Sequence, residues 1–203
     1  TGGEDRAVRV WTPADGAEVR AWTAHDGPVT ALAVSPDGKR LLTGSADRTA
    51  VVWDLATGRA VARHTLAGEI HAVAFAPDGK RLVSGGTGGN LQEWTTDTGR
   101  IGRPIERQRG GTVIAAVYSG DGTTVFAVTA DRDGVTLACH AITTPHGPQV
   151  LSQTPAGAIG LYRDGRCLIA DSGTIRVIRL GPDAANRDGA VTPVISPHGS
   201  KQR

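Results

Sequence analysis

The sequence predicts an all-β protein built from repeated four-stranded antiparallel sheets. Three observations carry that expectation. Asp-Gly turns recur at Asp37-Gly38, Asp78-Gly79, Asp121-Gly122 and Asp164-Gly165, spaced by 41, 43 and 43 residues. A polar set, His25, Thr43, Asp47 and Trp53, stands inside one period and returns in weakening form in the others. No stretch shows the apolar period of an amphipathic helix, whereas short apolar runs flank every turn. Self-similarity at about 40 to 45 residues, with turn signals inside each period, marks a repeat array.

Each element follows from the pattern. Before the Asp-Gly turns run 29–34, 70–75, 113–118 and 158–162; after them run 40–44, 81–85, 124–129 and 167–170. Asp-Gly between two β-patterned runs is a strong hairpin signal. A third strand is expected at 49–53, 90–94, 135–139 and 174–178, and a more polar fourth at 60–64, 101–105, 148–152 and 190–195. The first two strands of each period are nearly unbroken apolar runs, which predicts packing on both faces, with the fourth at the rim. Cys139 and Cys167 fall in strands of successive periods and read as small buried hydrophobes rather than a disulfide.

The chain opens inside a period. Thr1 to Asp5 matches Thr43 to Asp47, and Val8 to Trp11 matches Ala50 to Trp53, at a constant offset of 42. At the other end, Gly189 to Gly199 reads as an outer strand and the next loop, with His198 in the place of His25. The expected units are 1–23, the end of a truncated one, then 24–66 and 67–108, then the degenerate 109–153 and 154–198. A chain without Met that begins on Thr1 is expected to be a piece of a longer one.

The run from His25 through Ser35-Pro36-Asp37-Gly38 and Thr43-Gly44-Ser45-Ala46-Asp47 to Trp53-Asp54 resembles the WD-repeat β-propeller family. The likeness is strong over 1–94 and rests on turn spacing and strand rhythm over 110–180. It implies a β-propeller of four-stranded antiparallel blades, about four and a half of them here, in an incomplete ring. It also implies a hydrogen-bond network within each blade, carried here by His25, Thr43, Asp47 and Trp53. The partial counterparts are Thr1, Asp5 and Trp11 before it and Ser84 and Trp94 after it.

The chemistry of these side chains supports that reading. An indole N–H only donates, so a buried Trp needs an acceptor such as a Thr hydroxyl. The hydroxyl can hydrogen-bond a His ring, and an Asp can hold the other ring nitrogen while capping its turn. A catalytic set with Thr43 as nucleophile is the competing reading. It lacks a Gly-x-Ser-x-Gly elbow, and a terminal Trp donor has no role in it. The set then decays. The second period has Leu66 for His and Gly88 for Asp; the third keeps Asp131, with Arg109, Ala127 and an apolar residue near Leu137 at the other places.

The remaining signals are weaker. Arg6, Arg48 and Arg132 each follow a turn Asp and are expected in equivalent loops on one face, as solvated turn residues or as a site for an acidic peptide. Arg100, Arg103, Arg107 and Arg109 cluster without interleaved aromatics, and the net charge is only +2, so no nucleic-acid partner is expected. The six histidines show no ligand spacing, and Gly85 to Gly89 lacks the Lys and helix of a phosphate loop. No catalytic residue, metal or cofactor is expected. No apolar run reaches the roughly 18 residues that cross a membrane. Arg outnumbers Lys by 19 to 3, which suggests a GC-rich, bacterial genome, and a cytoplasmic location is expected.

The expected function is a non-catalytic scaffold or regulatory module of a larger bacterial protein, binding protein or peptide partners. In bacteria, such a resemblance often accompanies a kinase, an NTPase or another effector domain. The alternative is a propeller enzyme or ligand-binding disc with its site in the central channel. That reading needs convergent carboxylates, histidines or metal ligands at the blade tops, and the sequence shows none.

Overall fold

The Asp-Gly turns close their hairpins through their own side chains. Asp37 Oδ1 accepts from the Ser35 hydroxyl at 2.6 Å and the Lys39 N–H at 3.0 Å, and Asp121 repeats this with Ser119 and Thr123. The glycine after each Asp takes a left-handed φ, 71° at Gly38, 66° at Gly79 and 70° at Gly122, a region glycine enters without steric cost. Local chemistry therefore sets the first hairpin of these three repeats; Asp164-Gly165 lies outside the described residues.

The structure, a computed structural model, describes residues 1–107, 111–132, 134–141, 149–154, 158–161, 166–171 and 174–179, with side-chain surroundings given mainly as far as Arg132. Among them are seventeen strands and no helix. A two-stranded sheet comes first, β1 (Ala7–Trp11) and β2 (Glu18–Thr23). A four-stranded sheet follows, with β3 (Val29–Val34), β4 (Arg40–Ser45), β5 (Thr49–Asp54) and β6 (Ala60–Thr65). The second four-stranded sheet holds β7 (Ile70–Phe75), β8 (Arg81–Gly86), β9 (Asn90–Thr95) and β10 (Ile101–Arg107). The third holds β11 (Thr112–Tyr118), β12 (Thr124–Asp131), β13 (Gly134–Ala141) and β14 (Gln149–Thr154). A three-stranded sheet, β15 (Ala158–Leu161), β16 (Arg166–Asp171) and β17 (Thr174–Arg179), comes last. Each sheet is an antiparallel meander in chain order, the architecture of propeller blades, and the ring is not closed. The strand expected at 190–195 lies outside the described residues.

Neighbouring sheets meet through a repeated close approach. A Cβ on Gly2 would lie 2.6 Å from Val29 Cγ1, one on Gly44 2.6 Å from Ile70 Cγ2, and one on Gly85 2.9 Å from Val113 Cγ1. The first apolar residue of each innermost strand thus fills a notch in the second strand of the sheet before it. In β12 the corresponding position is Val128, fully buried, so the third four-stranded sheet lacks this notch. Each Trp likewise packs backward. Trp53 clusters with Val8 and Trp22 of the preceding sheet, and Trp94 with Val52 and Ala62. Trp22 and His64, at equivalent outer-strand positions, lie 5.8 and 5.5 Å from the rings of Trp53 and Trp94.

The second strands β4, β8 and β12 are covered on both faces, as is the innermost strand β7, whereas β3 leaves Leu32 39% and Val34 45% exposed. These two side chains stand opposite Thr43 and Leu41, on the face that meets the two-stranded β1–β2 sheet, which covers it only in part. A register break follows Val29, Ile70 and Val113, at the top of each innermost strand.

Candidate functional site

The polar set assembles where two connections meet at one end of the first four-stranded sheet. His25 lies in the loop entering β3, Thr43 on β4, Asp47 in the β4–β5 turn and Trp53 on β5. The Trp53 indole N–H donates to Thr43 Oγ1 at 2.9 Å, and that oxygen lies 2.6 Å from His25 Nε2. His25 Nδ1 is 3.1 Å from Asp47 Oδ2 and 2.9 Å from Thr49 Oγ1. Asp47 Oδ2 also accepts the Asp26 N–H at 2.9 Å, and its Oδ1 accepts the Thr49 N–H at 2.8 Å and hydroxyl at 2.7 Å.

The partners assign the protons. A carboxylate only accepts, so Nδ1 of His25 carries hydrogen and Nε2 accepts from the Thr43 hydroxyl. Burial pushes the His25 pKa below its ordinary value, against the pull of Asp47, and the ring is neutral near pH 7. Burial alone would raise Asp47, but the donated bonds from Thr49 and Asp26, with His25, hold it at about 2. Every polar atom is engaged, and the terminal indole cannot take a proton. Such an arrangement orients two loops and offers no free nucleophile. Thr49 is a member that the sequence pattern did not single out; its place two residues after Asp47, the spacing of an Asx turn, is the signal for it.

The partial sets differ from this one in instructive ways. Trp11 donates to Thr1 Oγ1 at 3.0 Å, but Trp11 is exposed and Asp5 pairs with Arg9 at 2.5 Å rather than with a His. Trp94 donates to Ser84 Oγ at 3.2 Å. Leu66, in the place of His25, is buried in the same apolar cluster as Trp94, and Gly88, in the place of Asp47, has φ 80°. The second repeat keeps the donor pair and replaces the rest by packing.

The third repeat departs from the expected alignment. Trp53 stands opposite Leu41 and Trp94 opposite Leu82; the equivalent of those partners, Val125, stands opposite His140, not Leu137. The cause is a longer ladder that turns later, with pairing continuing to Asp131 opposite Gly134. Asp131 is therefore the end of a ladder, and Arg132 does not sit at the position of Arg48. Arg109 lies outside the described residues.

Arg6 and Arg48 do occupy equivalent positions, with φ 66° and 72°, a left-handed conformation unusual for a side chain larger than glycine. Gly89 holds the same place in the second repeat, at φ 68°. Both arginines are exposed, but so are Glu4, Asp26 and Glu69 on the same end of the sheets.

The inner face holds a second feature that the sequence reading did not place. The innermost strands β3, β7 and β11 line a cavity of about 630 Å³, walled by Leu32, Val34, Val73, Phe75 and Ala116, with Pro36 and Pro77 at its edge. Tyr118 is the one lining side chain with a polar atom, and its hydroxyl is engaged by Glu93. The alternative channel enzyme would need carboxylates or histidines here, and the lining has neither. Among the described residues, no group of three or more His, Cys, Asp or Glu could hold a metal ion, and no helix is long and apolar enough to cross a membrane.

Comparison with known proteins agrees with the geometry. Over 68 residues the chain is 34% identical to "Autophagy-related protein 16" of Arabidopsis thaliana, a match covering 34% of this chain and 13% of that protein. Over 70 residues it is 33% identical to "Protein tipD" of Dictyostelium discoideum, covering 34% of this chain and 11% of that one. The chain thus matches only a small part of the length of either relative. Residues 16–54 and 60–95, which carry the three Trp–hydroxyl partners' second and third members, match the family "WD domain, G-beta repeat", so the chain contains two repeats similar to that family within an all-β array of propeller-type blades.

Proposed function

We propose that the chain is a non-catalytic protein–protein interaction module whose loops and inner face receive a protein or peptide partner. The observation that carries this reading is the closed hydrogen-bond set around His25. Its polar atoms are used to fix the β3 entry loop to the β4–β5 turn, and nothing reactive is left over. The apolar cavity lined by β3, β7 and β11 adds a surface suited to contacts rather than to acid–base chemistry. The general role of WD repeats as interaction or regulatory modules supports it.

Further parts of the reading are narrower. We place the blade limits at 24–66, 67–108, 109–153 and 154–198 on turn spacing, and the strand order of the two four-stranded sheets β3–β6 and β7–β10 supports the first two. Membership in a larger bacterial protein rests on the Arg-over-Lys bias and on the short share of the relatives that is matched. The absence of a nucleic-acid partner rests on the small net charge.

The test is affinity capture with the intact protein against two surface variants, Leu32→Asp and Val34→Asp. These side chains are exposed, so stability should change by about 0.5 kcal/mol or less. A partner held by wild type and lost by either variant at unchanged melting temperature supports the module. A turnover activity that disappears in Thr43→Ser or Asp47→Asn at unchanged stability would sink it.

A further inference from the structure

The seam between the second and third four-stranded sheets differs in kind from the seam before it. At the first seam, Val52 on β5 and Phe75 on β7 are buried in one apolar cluster. The ladders put Glu93 in the place of Val52, since Val52 stands opposite Leu42 and Glu93 opposite Val83. They put Tyr118 in the place of Phe75, opposite Val125 as Phe75 is opposite Leu82. Both members change together, from two hydrocarbons to a carboxylate and a phenol.

The new pair is bonded. The Tyr118 hydroxyl donates to Glu93 Oε1 at 3.0 Å, with both residues buried. Arg81 joins them: Nη1 is 3.5 Å from the same oxygen, and the guanidinium carbon is 5.8 Å from the Tyr118 ring centre. Arg81 is held independently by Asp78 Oδ2 at 2.9 Å from Nε and by the Gly122 carbonyl at 3.0 Å from Nη2. Burial and the adjacent carboxylate push the Tyr118 pKa up, so the phenol remains a donor.

A self-similar array faces a docking problem, because each sheet presents a similar apolar face. A sheet can settle on the wrong neighbour or on another molecule during folding. A Tyr118 phenol set against Val52 finds no acceptor, and a Glu93 carboxylate set against Phe75 keeps only the long 3.5 Å contact from Arg81 of its own sheet and loses its phenol donor. We propose that Glu93 and Tyr118 form a polar key that admits the β11–β14 sheet onto the β7–β10 sheet and rejects exchanged neighbours. Replacing both members by apolar ones recreates the first seam's chemistry, and Arg81 keeps Asp78 and Gly122. Equilibrium stability should then survive while discrimination is lost.

The experiment is a double-mutant cycle in the intact protein with Glu93→Val, Tyr118→Phe and the pair, read by urea unfolding. Refolding at two protein concentrations, followed by size-exclusion chromatography, reads assembly. Each single change should lower the folding constant on the order of tenfold. The pair should return to within about threefold of wild type, yet give more oligomer on refolding, rising with concentration. Additive losses, or a double variant that refolds as cleanly as wild type, would overturn the key. If Glu93→Val does not fold, Glu93→Gln retains an acceptor for Tyr118 and must refold cleanly; oligomer formation by that variant would also overturn it.

Discussion

Trp53 and Thr43 stand ten residues apart, and the indole N–H of one donates to the hydroxyl of the other at 2.9 Å between buried side chains. The same spacing joins Trp11 to Thr1 and Trp94 to Ser84. Among the described residues, in the first four-stranded sheet alone does the hydroxyl go on to His25 and, through it, to Asp47. Thr43 is thus the relay, using its lone pair for the indole and its hydrogen for the imidazole.

Removing the relay strands two buried groups. Thr43→Val should cost about 2–3 kcal/mol, because both the Trp53 N–H and His25 Nε2 lose their partner. Thr43→Ser should cost much less, since Ser84 already serves Trp94 in the next sheet. Denaturant midpoints of the two variants check this, and equal losses would contradict it.

Acid should weaken the fold in two stages. His25 and His64 are held below 6.5 by burial, so the unfolded chain takes up protons there before the folded one does. Stability is complete above pH 6.5 and falls as pH drops below it. Asp47, at about 2 against 3.8 unfolded, adds a second loss of about 2 kcal/mol as pH falls from roughly 4 to 2. Urea midpoints between pH 8 and 2 report both stages, and Asp47→Asn should shrink the second, to which Asp5, Asp37, Asp54, Asp78 and Asp121, also held low by their donated bonds, contribute.

Arg48 holds a left-handed φ of 72° where the next repeat has Gly89. Arg48→Gly should therefore stabilise by about 0.5–1 kcal/mol, against the usual sign of a glycine substitution. Its N–H to the Ser45 carbonyl at 3.1 Å and its carbonyl to the Leu66 N–H at 2.9 Å are backbone bonds and survive the change. A thermal scan showing a lower melting temperature would refute the strain argument.

Gly44→Ala should be costly despite its small size. The added methyl would meet Ile70 Cγ2 at 2.6 Å, and Ile70 is fully buried, so the two sheets must part. A loss of about 1–3 kcal/mol is expected in unfolding experiments. Gly38→Ala, with nothing within 4 Å of its Cβ but φ 71°, should lose only the smaller cost of a left-handed turn.

The legible parts of this protein are those whose cause is local. Asp37, Asp78 and Asp121 cap their own turns, and the strands flanking them begin and end within a residue or two of where alternation and turn chemistry put them. The donor–acceptor logic of Trp53, Thr43, His25 and Asp47 was legible because each residue type has few ways to be satisfied when buried. The third repeat was misaligned because sequence spacing does not show where a hairpin turns; one later turn put His140, not Leu137, opposite Val125.

By itself the sequence determined the all-β class, the four-strand rhythm and the members of one hydrogen-bond set, since turns, strand alternation and donor inventories act over a few residues. Only the tertiary structure decided which faces meet. Ile70 reaching the notch at Gly44, Trp53 reaching back to Trp22, and Glu93 bonded to Tyr118 across the second seam join residues of different sheets. Their geometry depends on how whole sheets stack, a many-body packing outcome that no single repeat encodes.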